Sequence, residues 1–335
     1  MGSYGKEMSD YITRLAPAIE VEMEKVMPRD KRPAEVYSLL WEILDRGGKR
    51  FRPALCLLCC QAVGGKTEKA MPAAAAIELF HNLTLIHDDI EDNSLLRRGK
   101  PCLHIEYGIP LALNAGDGLF MMNWNSLLRM RLSAVQTLEL QRILTMAYSR
   151  VMEGQGMELS WRREEEWDIK GKDYLEMAER KTGALIGAAC EAGAYIGGGT
   201  LMQRRGLKRF GEEIGVAFQI QDDILNLTGE EKKYKKEIGG DITEGKRTLI
   251  VIDALEKIRN SERRKLHEVL SSGTRDKRML AWAISTLERN GSIGKAQMLA
   301  KQLAMKAKKE LKVLPQSPAK EKLMELANFL VDRKV

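Results

Sequence analysis

The chain has 335 residues, of which 44% are hydrophobic and 30% are charged. This length allows one large domain or two ordinary ones, with ample apolar material for a core. An excess of 54 basic over 47 acidic residues gives a formal net charge of +7. That charge fits anionic small substrates, an acidic membrane surface, nucleic acid or a merely solvated surface, and does not choose among them.

The cysteines and the apolar runs indicate a compartment. Five cysteines are present, without a disulfide spacing. Cys56 and Cys59 form a CxxC, but they lie in the apolar helical run ALCLLCCQAV, which favours buried thiols over a zinc or redox site. No apolar run reaches the roughly 18 residues of a membrane span, and MGSYGKEMSD has no signal-peptide core. The sequence predicts a soluble cytoplasmic protein without a transmembrane segment.

Helical periodicity dominates the first half of the chain, without a convincing alternating strand or Asn-Gly hairpin. Pro72 would lie in the first turn of its helix, where its missing N–H is tolerated. The predicted helices span 7–27, 34–46, 71–92, 110–132 and 135–159.

The second half continues in the same way. Helices are predicted at 173–196 and 200–228, followed by a lysine- and glycine-rich loop at 229–247 and four or so amphipathic helices from 248 to 335. The small residues of TGALIGAACEAGA weaken an isolated helix, so they indicate close approach to a neighbour or a ligand. No polar linker divides the chain, and we predict one all-α domain over residues 1–335.

A basic loop and an acidic helix follow one another in the first half. In GGKRFRP, at 47–53, two glycines and three cations precede a helix start, an arrangement that favours an anion. Further on, Asp88 and Asp92 are i and i+4 on one helical face. Two like charges stacked in this way repel unless a cation lies between them. Oxygen ligands on one face suit Mg²⁺ that brings a phosphate with it.

A second acidic cluster echoes the first. Asp222 and Asp223 are followed by Asn226 within the predicted helix FQIQDDILN. Either cluster alone is often only a solvated helix face. Two such clusters, each followed by basic residues, favour two walls that face each other across a cavity and hold several Mg²⁺ ions and a diphosphate.

These pieces occur in an order that resembles the trans-isoprenyl diphosphate synthases, a family that includes the geranylgeranyl and farnesyl diphosphate synthases. The ordered set is GGKRFRP, ELFH, DDIED with RRGKP, GD at 116–117, KTG at 181–183, FQIQDD and GK at 245–246. The resemblance covers nearly the whole chain. It implies an isoprenoid synthase bundle of antiparallel helices around a deep central cavity, usually as a homodimer.

The resemblance also implies roles for individual residues. Three Mg²⁺ ions per site would be held by Asp88, Asp92 and Asp222, with Asp89 and Asp223 as ligands or supports. Asn226 replaces a usual third aspartate, which implies weaker metal binding at most. Isopentenyl diphosphate would be bound by Lys49, Arg52, His81 and Arg98. The allylic diphosphate would be bound by Arg97, Lys181, Thr182, Gln219, Lys236 and Lys246. The residues beside the reacting carbons would be Lys181, Thr182 and Gln219.

The implied reaction is chain elongation. The allylic diphosphate ionises, the C=C bond of isopentenyl diphosphate attacks the resulting carbocation, and a proton is lost to the departed pyrophosphate. No side-chain nucleophile is needed, in keeping with the lack of a Ser/His/Asp or Cys/His arrangement. Closure of the loop 229–247 would keep water from the carbocation.

Product length is read along the first acidic helix. Steps of four back from Asp88 reach Thr84 and then Phe80, about 12 Å deeper, with Leu83 beside the stripe. Farnesyl-forming members usually carry an aromatic at the position of Leu83 or Thr84. The first bulky residue here is Phe80, which predicts a C20 product, geranylgeranyl diphosphate, with C15 and C25 or longer as alternatives. If Phe80 instead faces the core, the floor would be set elsewhere, for instance by Met121, Met122 or Trp124.

Other functions fit less of the sequence. A terpene cyclase has one diphosphate site and would leave GGKRFRP, His81 and Arg98 without a purpose. A non-catalytic partner subunit tends to lose an aspartate motif, and both motifs are present. A basic helical nucleic-acid binder would draw on the lysine runs KKYKK and MKAKKELK. The second run spaces its lysines around an amphipathic face and is most simply solvated surface, and no nucleic-acid partner is predicted. A lone histidine on a helix is more often structural than a ligand. The place of His81 beside the first acidic motif is what favours a binding role.

Overall fold

The computed structural model describes residues 3–229 and 238–332, and it confirms the all-α fold. A two-stranded hairpin, β1 (Leu96–Arg97) and β2 (Lys100–Pro101), is the sheet structure within this part of the chain. The helices are α1 (Ser3–Glu24), α2 (Ala34–Asp45), α3 (Phe51–Ala62), α4 (Thr67–Glu91), α5 (Leu103–Glu106), α6 (Ile109–Leu128), α7 (Ala134–Arg163), α8 (Gly171–Ala178), α9 (Ala184–Ile196), α10 (Leu201–Thr228), α11 (Gly240–Thr243), α12 (Leu249–Lys257), α13 (Asn260–Ser271), α14 (Lys277–Arg289), α15 (Ser292–Glu310) and α16 (Pro318–Asp332).

Three local features differ from the sequence-based prediction. α4 begins at Thr67, so Pro72 lies inside the helix and not in its first turn. The helix predicted at 173–196 contains one π-helical turn, Glu179–Gly183, between α8 and α9. The chain after 248 forms five helices where four or so were predicted. The break between α12 and α13, at Ile258 and Arg259, carries no glycine or proline that would mark it in the sequence.

α4 is the central helix of the first half. Its alanines at 73–76 are fully buried, and the apolar cluster around them includes residues of α1, α2, α3, α6, α7 and α9. Small side chains on this face let several helices approach α4 at once. The arrangement leaves the C-terminal turn of α4, with Asp88 and Asp92, beside the central cavity.

α9 and α10 make the close contact that the small residues predicted. A β-carbon on Gly215 would lie 2.6 Å from the Cα of Gly183, and one on Gly211 would lie 2.7 Å from the Cα of Gly187. Real β-carbons do not come so close, so these positions require glycine. The seam fixes the segment after Lys181 against the helix that carries the second acidic cluster.

α10 changes partners along its length. Its N-terminal half, with Leu207 and Phe210, belongs to an apolar cluster with α3, α9, α15 and α16. Its C-terminal half, with Ile220 and Ile224, packs in a second cluster with α8 and α12 to α15. The side chains of Gln219 and Asp222 project from α10 between these two clusters and line the cavity.

Two further predictions can be compared with the structure. All five cysteines are buried free thiols, as the apolar setting of the CxxC predicted. Within the described ranges, no helix has the length and apolar character required to cross a membrane.

Candidate active site

A cavity of about 910 Å³ lies between α3, α4, α7, the π turn and α10. Most residues predicted for the site line it: Lys49, Arg52, Phe80, His81, Leu83, Thr84, Asp88, Arg97, Arg98, Lys181, Thr182, Gln219, Asp222, Asp223 and Lys246. A neighbouring cavity of about 600 Å³ shares Asp88, Arg97 and Lys246 with it, and adds Asp92 and Asn226. Asp89 is absent from both linings. Lys236 lies outside the described residues.

The two aspartates of the first acidic face are each paired with cations. Asp88 Oδ1 lies 3.4 Å from Lys181 Nζ, which also contacts Glu158 Oε2 at 2.5 Å. Asp92 contacts Arg162 at 2.7 Å and Lys246 Nζ at 3.1 Å. These lysine and arginine side chains thus supply the positive charge that the repulsion between Asp88 and Asp92 was expected to require.

These ion pairs shift the protonation equilibria. Burial raises the pKa of Asp92, but Lys246, Lys181 and Arg162 outweigh it and lower the pKa to about 2. Burial lowers the pKa of Lys181, yet the carboxylates of Asp88 and Glu158 raise it above its ordinary value overall. Asp92 is therefore ionised and Lys181 charged across the neutral pH range.

Asp89 points away from the cavity. It is only 2% exposed, and its Oδ1 accepts hydrogen bonds from Arg97 Nη2 and, at 2.8 Å, from Arg97 Nε. Two roles were left open for Asp89, metal ligand or support for a neighbouring group. These contacts favour the role of support. Arg97 is held by this pair at the point where it lines both cavities.

The second acidic cluster is tied to the π turn by a chain of hydrogen bonds. Thr182 Oγ1 donates to Gln219 Oε1 at 2.7 Å, and Gln219 Nε2 donates to Asp223 Oδ1 at 2.9 Å. Tyr174, which the sequence analysis did not single out, donates its hydroxyl hydrogen to Asp223 Oδ2 at 2.6 Å. Burial, with Asp241 nearby, raises the pKa of Asp223 well above its ordinary value. Asp222, on the next position of α10, faces the cavity.

The π turn places Lys181 and Thr182 side by side at the cavity. Its extra residue shifts the helical register between α8 and α9, and π turns are frequent at functional sites. The KTG motif marked the place, but nothing in the periodicity predicted the change of helix type. The glycine of that motif, Gly183, lies in the seam with α10.

Asn226 holds the short helix α11 in place. Its Oδ1 accepts a hydrogen bond from the backbone N–H of Asp241 at 3.1 Å, and its carbonyl accepts one from Gly239 at 2.8 Å. Asp241 lines both cavities and lies 3.5 Å from Lys246. Asp241 is not among the residues predicted for the site because it follows a glycine-rich loop, although the acidic side chain in GGDITEGKR is a usable signal.

Another part of the cavity lining is cationic, with Lys49, Arg52 and Arg98. Arg52 Nη1 lies 3.0 Å from His81 Nε2, and since arginine can only donate, this nitrogen accepts. Burial lowers the pKa of His81 well below its ordinary value of 6.5, and Arg52 and Arg98 lower it further. Burial also lowers the pKa of Arg52 to about 10 and that of Arg98 to about 10. His81 is thus a neutral side chain among cations that retain their charge at neutral pH.

The loop GGKRFRP serves both the site and the fold. Arg98, at φ 55°, donates to the carbonyl of Gly47, and a β-carbon on Gly48 would lie 2.7 Å from its Nη2. Arg50, which was given no role, forms a buried ion pair with Glu78 at 2.8 Å. Lys49, Arg50 and Arg52 all line the cavity, and Arg50 is in addition held by this ion pair.

Aromatic rings close the apolar end. Phe80 lines the cavity and stacks on Tyr148 with ring centroids 3.6 Å apart, while Phe120 lies 6.3 Å from it. Trp124 contacts Phe120 and Tyr148 from behind. Met121 is 56% exposed and, like Met122 and Trp124, is absent from the lining. Phe120 and Tyr148 are not among the predicted residues, because they belong to other helices, α6 and α7.

The carboxylates fit the expected metal. Within residues 3–229 and 238–332, no group of three or more His, Cys, Asp or Glu side chains is close enough to hold an ion by itself. Asp88 and Asp92 on one wall and Asp222 on the other offer one or two hard oxygen ligands each. Such sparse oxygen ligation suits Mg²⁺, which keeps water molecules and takes phosphate oxygens from a substrate.

Comparison with known proteins gives consistent matches. A family model described as polyprenyl synthetase matches residues 33–287. The short chain isoprenyl diphosphate synthase of Methanothermobacter thermautotrophicus is 40% identical over 87% of this chain and 88% of its own. The geranylgeranyl diphosphate synthase of Methanosarcina mazei is 34% identical over 97% of each chain. The crystal structure of geranylgeranyl pyrophosphate synthetase from Pyrococcus horikoshii Ot3 superposes with a TM-score of 0.91, at 35% identity over 98% of this chain and 99% of that one.

Proposed function

The chain belongs to the polyprenyl synthetase family, and we propose that its central cavity extends allylic diphosphates with isopentenyl diphosphate to C20 geranylgeranyl diphosphate. The protein is an enzyme, a trans-prenyltransferase that releases pyrophosphate. One observation carries the assignment of the site. Asp88 and Asp222, from separate helices, line one cavity together with Lys181, and the aromatic rings of Phe80 and Phe120 line the same cavity.

The carboxylate end is assigned to the allylic diphosphate. The family depends on Mg²⁺ in general, and we assign three ions to Asp88, Asp92 and Asp222. When bound, Mg²⁺ supplies positive charge that stabilises the departing pyrophosphate. Lys181 and Lys246 add further charge there, and both are already held by acidic neighbours at this end. Arg97 is fixed by Asp89, and Lys236 retains its assignment from the family motif.

The cationic end is assigned to isopentenyl diphosphate. Arg52 and Arg98 provide guanidinium groups that suit a diphosphate, and Lys49 adds a third charge. His81 accepts a hydrogen bond from Arg52 and so fixes the direction of its guanidinium. Holding the two diphosphates on separate groups of side chains in one cavity brings the C=C bond of one substrate toward the allylic carbon of the other.

The residues between the two ends act on the carbocation. Thr182 and Gln219 face the space between the diphosphate sites, where their oxygens stabilise positive charge without a covalent bond. The apolar side chains of Phe218 and Leu185 line the same region and exclude water. The C=C bond of isopentenyl diphosphate is the nucleophile, and the proton lost afterwards goes to pyrophosphate.

The aromatic floor sets the proposed product length. Phe80 lies two helical turns below Asp88, with smaller side chains, Leu83 and Thr84, between them. A growing chain therefore meets its first bulky obstacle at the depth of Phe80 and its stacked partner, Tyr148. This depth favours C20 over C15, and the rigid stack disfavours C25.

The proposal also covers the oligomeric state, the cellular compartment and the number of domains. Large exposed hydrophobic side chains that are absent from the cavity lining are concentrated on α6 and α7: Ile109, Leu111, Leu113, Met121, Leu128, Val135, Leu138 and Met146. Such a face supports a homodimer. The buried free thiols support a reducing compartment, and we place the enzyme in the cytoplasm. We assign residues 1–335 to one domain and propose no nucleic-acid partner.

One assay tests the function. Purified protein is incubated with Mg²⁺, labelled isopentenyl diphosphate and, separately, C5, C10 and C15 allylic primers, and the product lengths are measured. We expect C20 from each accepted primer and no product in the presence of a chelator. Failure to elongate any of the primers overturns the proposed function and favours the non-catalytic partner subunit, and a C15 or C25 product overturns the proposed length.

A further inference from the structure

The hydrogen-bonded chain that ends at Thr182 begins at a side chain without access to any substrate. Tyr174 is 1% exposed, and its hydroxyl oxygen lies 2.6 Å from Asp223 Oδ2. We propose that Tyr174 is a positioning residue for prenyl transfer: through Asp223 and Gln219, it fixes the orientation of the Thr182 hydroxyl at the reacting carbons. This inference rests on the proposed function.

The ring and the hydroxyl of Tyr174 have separate tasks. The ring packs in the apolar cluster with Met177 and Ile220, a place that phenylalanine would fill equally well. The hydroxyl contributes the hydrogen bond to Asp223, and burial requires that such a polar group have a partner. Asp223 in turn needs fixed donors, because a carboxylate can rotate to other partners once one of its oxygens is released.

Asp223 determines which way the amide of Gln219 faces. Asp223 Oδ1 accepts from the NH₂ group of Gln219, at 2.9 Å, and this contact turns the amide oxygen toward Thr182. The opposite orientation would bring two oxygens together at Asp223. The position of Gln219 Oε1 is therefore set from the protein interior and not by the substrate.

Gln219 then determines where the hydrogen of Thr182 lies. The Thr182 hydroxyl donates to Gln219 Oε1 at 2.7 Å, which leaves its oxygen lone pairs free to face the cavity. A hydroxyl oriented in this way presents negative potential to the electron-deficient allylic carbon. If the hydroxyl rotated, its hydrogen would face the carbocation instead and destabilise it.

The test compares two buried hydroxyl deletions. Tyr174→Phe removes the hydrogen bond to Asp223 and keeps the ring. Ser292→Ala is the matched control, because Ser292 also donates to a buried carboxylate, Asp253, at 2.6 Å but is absent from the cavity lining. Melting temperature, kcat, the KM for each substrate and the ratio of pyrophosphate released to isopentenyl diphosphate consumed are measured for both variants.

We expect Tyr174→Phe to lower kcat on the order of tenfold and to leave KM nearly unchanged. A loss of this size is typical when the hydrogen-bond partner that orients a functional side chain is removed. More pyrophosphate should be released per condensation, because a less stabilised carbocation is captured by water more often. Ser292→Ala should shift the melting temperature to a similar degree and keep the wild-type kcat and ratio.

A double variant tests whether the tyrosine acts through the amide. In a Gln219→Ala background, Tyr174→Phe should cause no further loss of kcat, whereas a purely structural effect would add to it. The inference is overturned if Tyr174→Phe matches Ser292→Ala in kcat and ratio, or if the two losses add. Failure of the wild-type protein to elongate any primer overturns the proposed function, a separate outcome of the same assay.

Discussion

The ring of Phe80 lies flat on the ring of Tyr148, with centroids 3.6 Å and planes 8° apart. Phe80→Ala removes one member of this stack and opens the floor of the cavity, so we expect the main product to lengthen from C20 to C25 or more. The variant should also lose about 3–5 kcal/mol of unfolding free energy, as buried phenylalanines do. Product length by chromatography, below the melting temperature, measures the effect.

The control for this prediction is Met121→Ala. Met121 lies one residue from Phe120 but is absent from the cavity lining, so its removal should leave the C20 product unchanged. A longer product from Met121→Ala, or C20 from Phe80→Ala, would place the floor elsewhere.

Raising the floor by one turn should shorten the product. Thr84 lies four residues above Phe80, roughly 6 Å along the helix, and lines the cavity. We expect Thr84→Phe to yield mainly C15 from a C5 or C10 primer and to leave a C15 primer unextended. Thr84→Val, which changes the hydroxyl and adds no bulk, should still yield C20. A C20 product from the phenylalanine variant would contradict the assigned depth.

Neighbouring aspartates should respond to substitution in opposite ways. Asp88→Asn removes a carboxylate that faces the cavity, and we expect kcat to fall at least about 100-fold, with little change in melting temperature. Asp89→Ala leaves the buried Arg97 without its partner and should cost about 3–5 kcal/mol of unfolding free energy. Chemical denaturation and steady-state kinetics separate the two effects. Equal losses of stability would refute the division of labour between these positions.

His81 predicts a loss of stability in mild acid. Its pKa is depressed in the folded state, so below about pH 6.5 the unfolded chain binds a proton that the folded chain does not. The unfolding free energy should therefore fall by up to about 1.4 kcal/mol per pH unit below pH 6.5 and be constant above it as far as this group is concerned. His81→Gln can still accept from Arg52 but does not titrate, so this slope should be missing. Parallel pH profiles for the two proteins would exclude the depressed pKa.

Substitution of Asn226 by aspartate should make the stability of the protein depend more strongly on Mg²⁺. Asn226→Asp keeps an oxygen for the N–H of Asp241 but adds a buried charge near Asp223 and Asp241. Without Mg²⁺ we expect a loss of about 1–3 kcal/mol of unfolding free energy. Added Mg²⁺ should recover more stability in this variant than in the wild type, since a further carboxylate strengthens oxygen ligation. Thermal melts over a Mg²⁺ series measure both; equal recovery would show that position 226 does not reach the metal.

The sequence predicts the helices and the polar end of the site well because both depend on local patterns. Asp88 and Asp92 share a face through the i, i+4 spacing, and the apolar periodicity around them sets which face is buried. The order of the motifs resembles that of a known family, and this resemblance implies that the two acidic clusters border one cavity. The predicted residues Asp222 and Gln219 do line the cavity with Asp88.

The features that the sequence analysis missed depend on tertiary contacts. Phe120 and Tyr148 join the floor because α6 and α7 bring them to Phe80, and no spacing within one helix encodes that meeting. Asp241 reaches the cavity because Asn226 caps a turn 15 residues later in the chain. Tyr174 has the periodicity of an ordinary core residue, and only its hydroxyl contact reveals a polar role.

The π turn at Glu179–Gly183 has a consequence for how this chain can change. A π turn holds one residue more than the α-helical turn it replaces, so a single-residue deletion there would restore a regular helix. The same deletion would rotate everything before it by about 100° relative to α9. Lys181 and Thr182 could then no longer both face the substrate while Gly183 stayed in its seam with α10. Length variation should therefore be accepted in the surface loops and rejected at this one turn, which makes its residue count as constrained as its residue types.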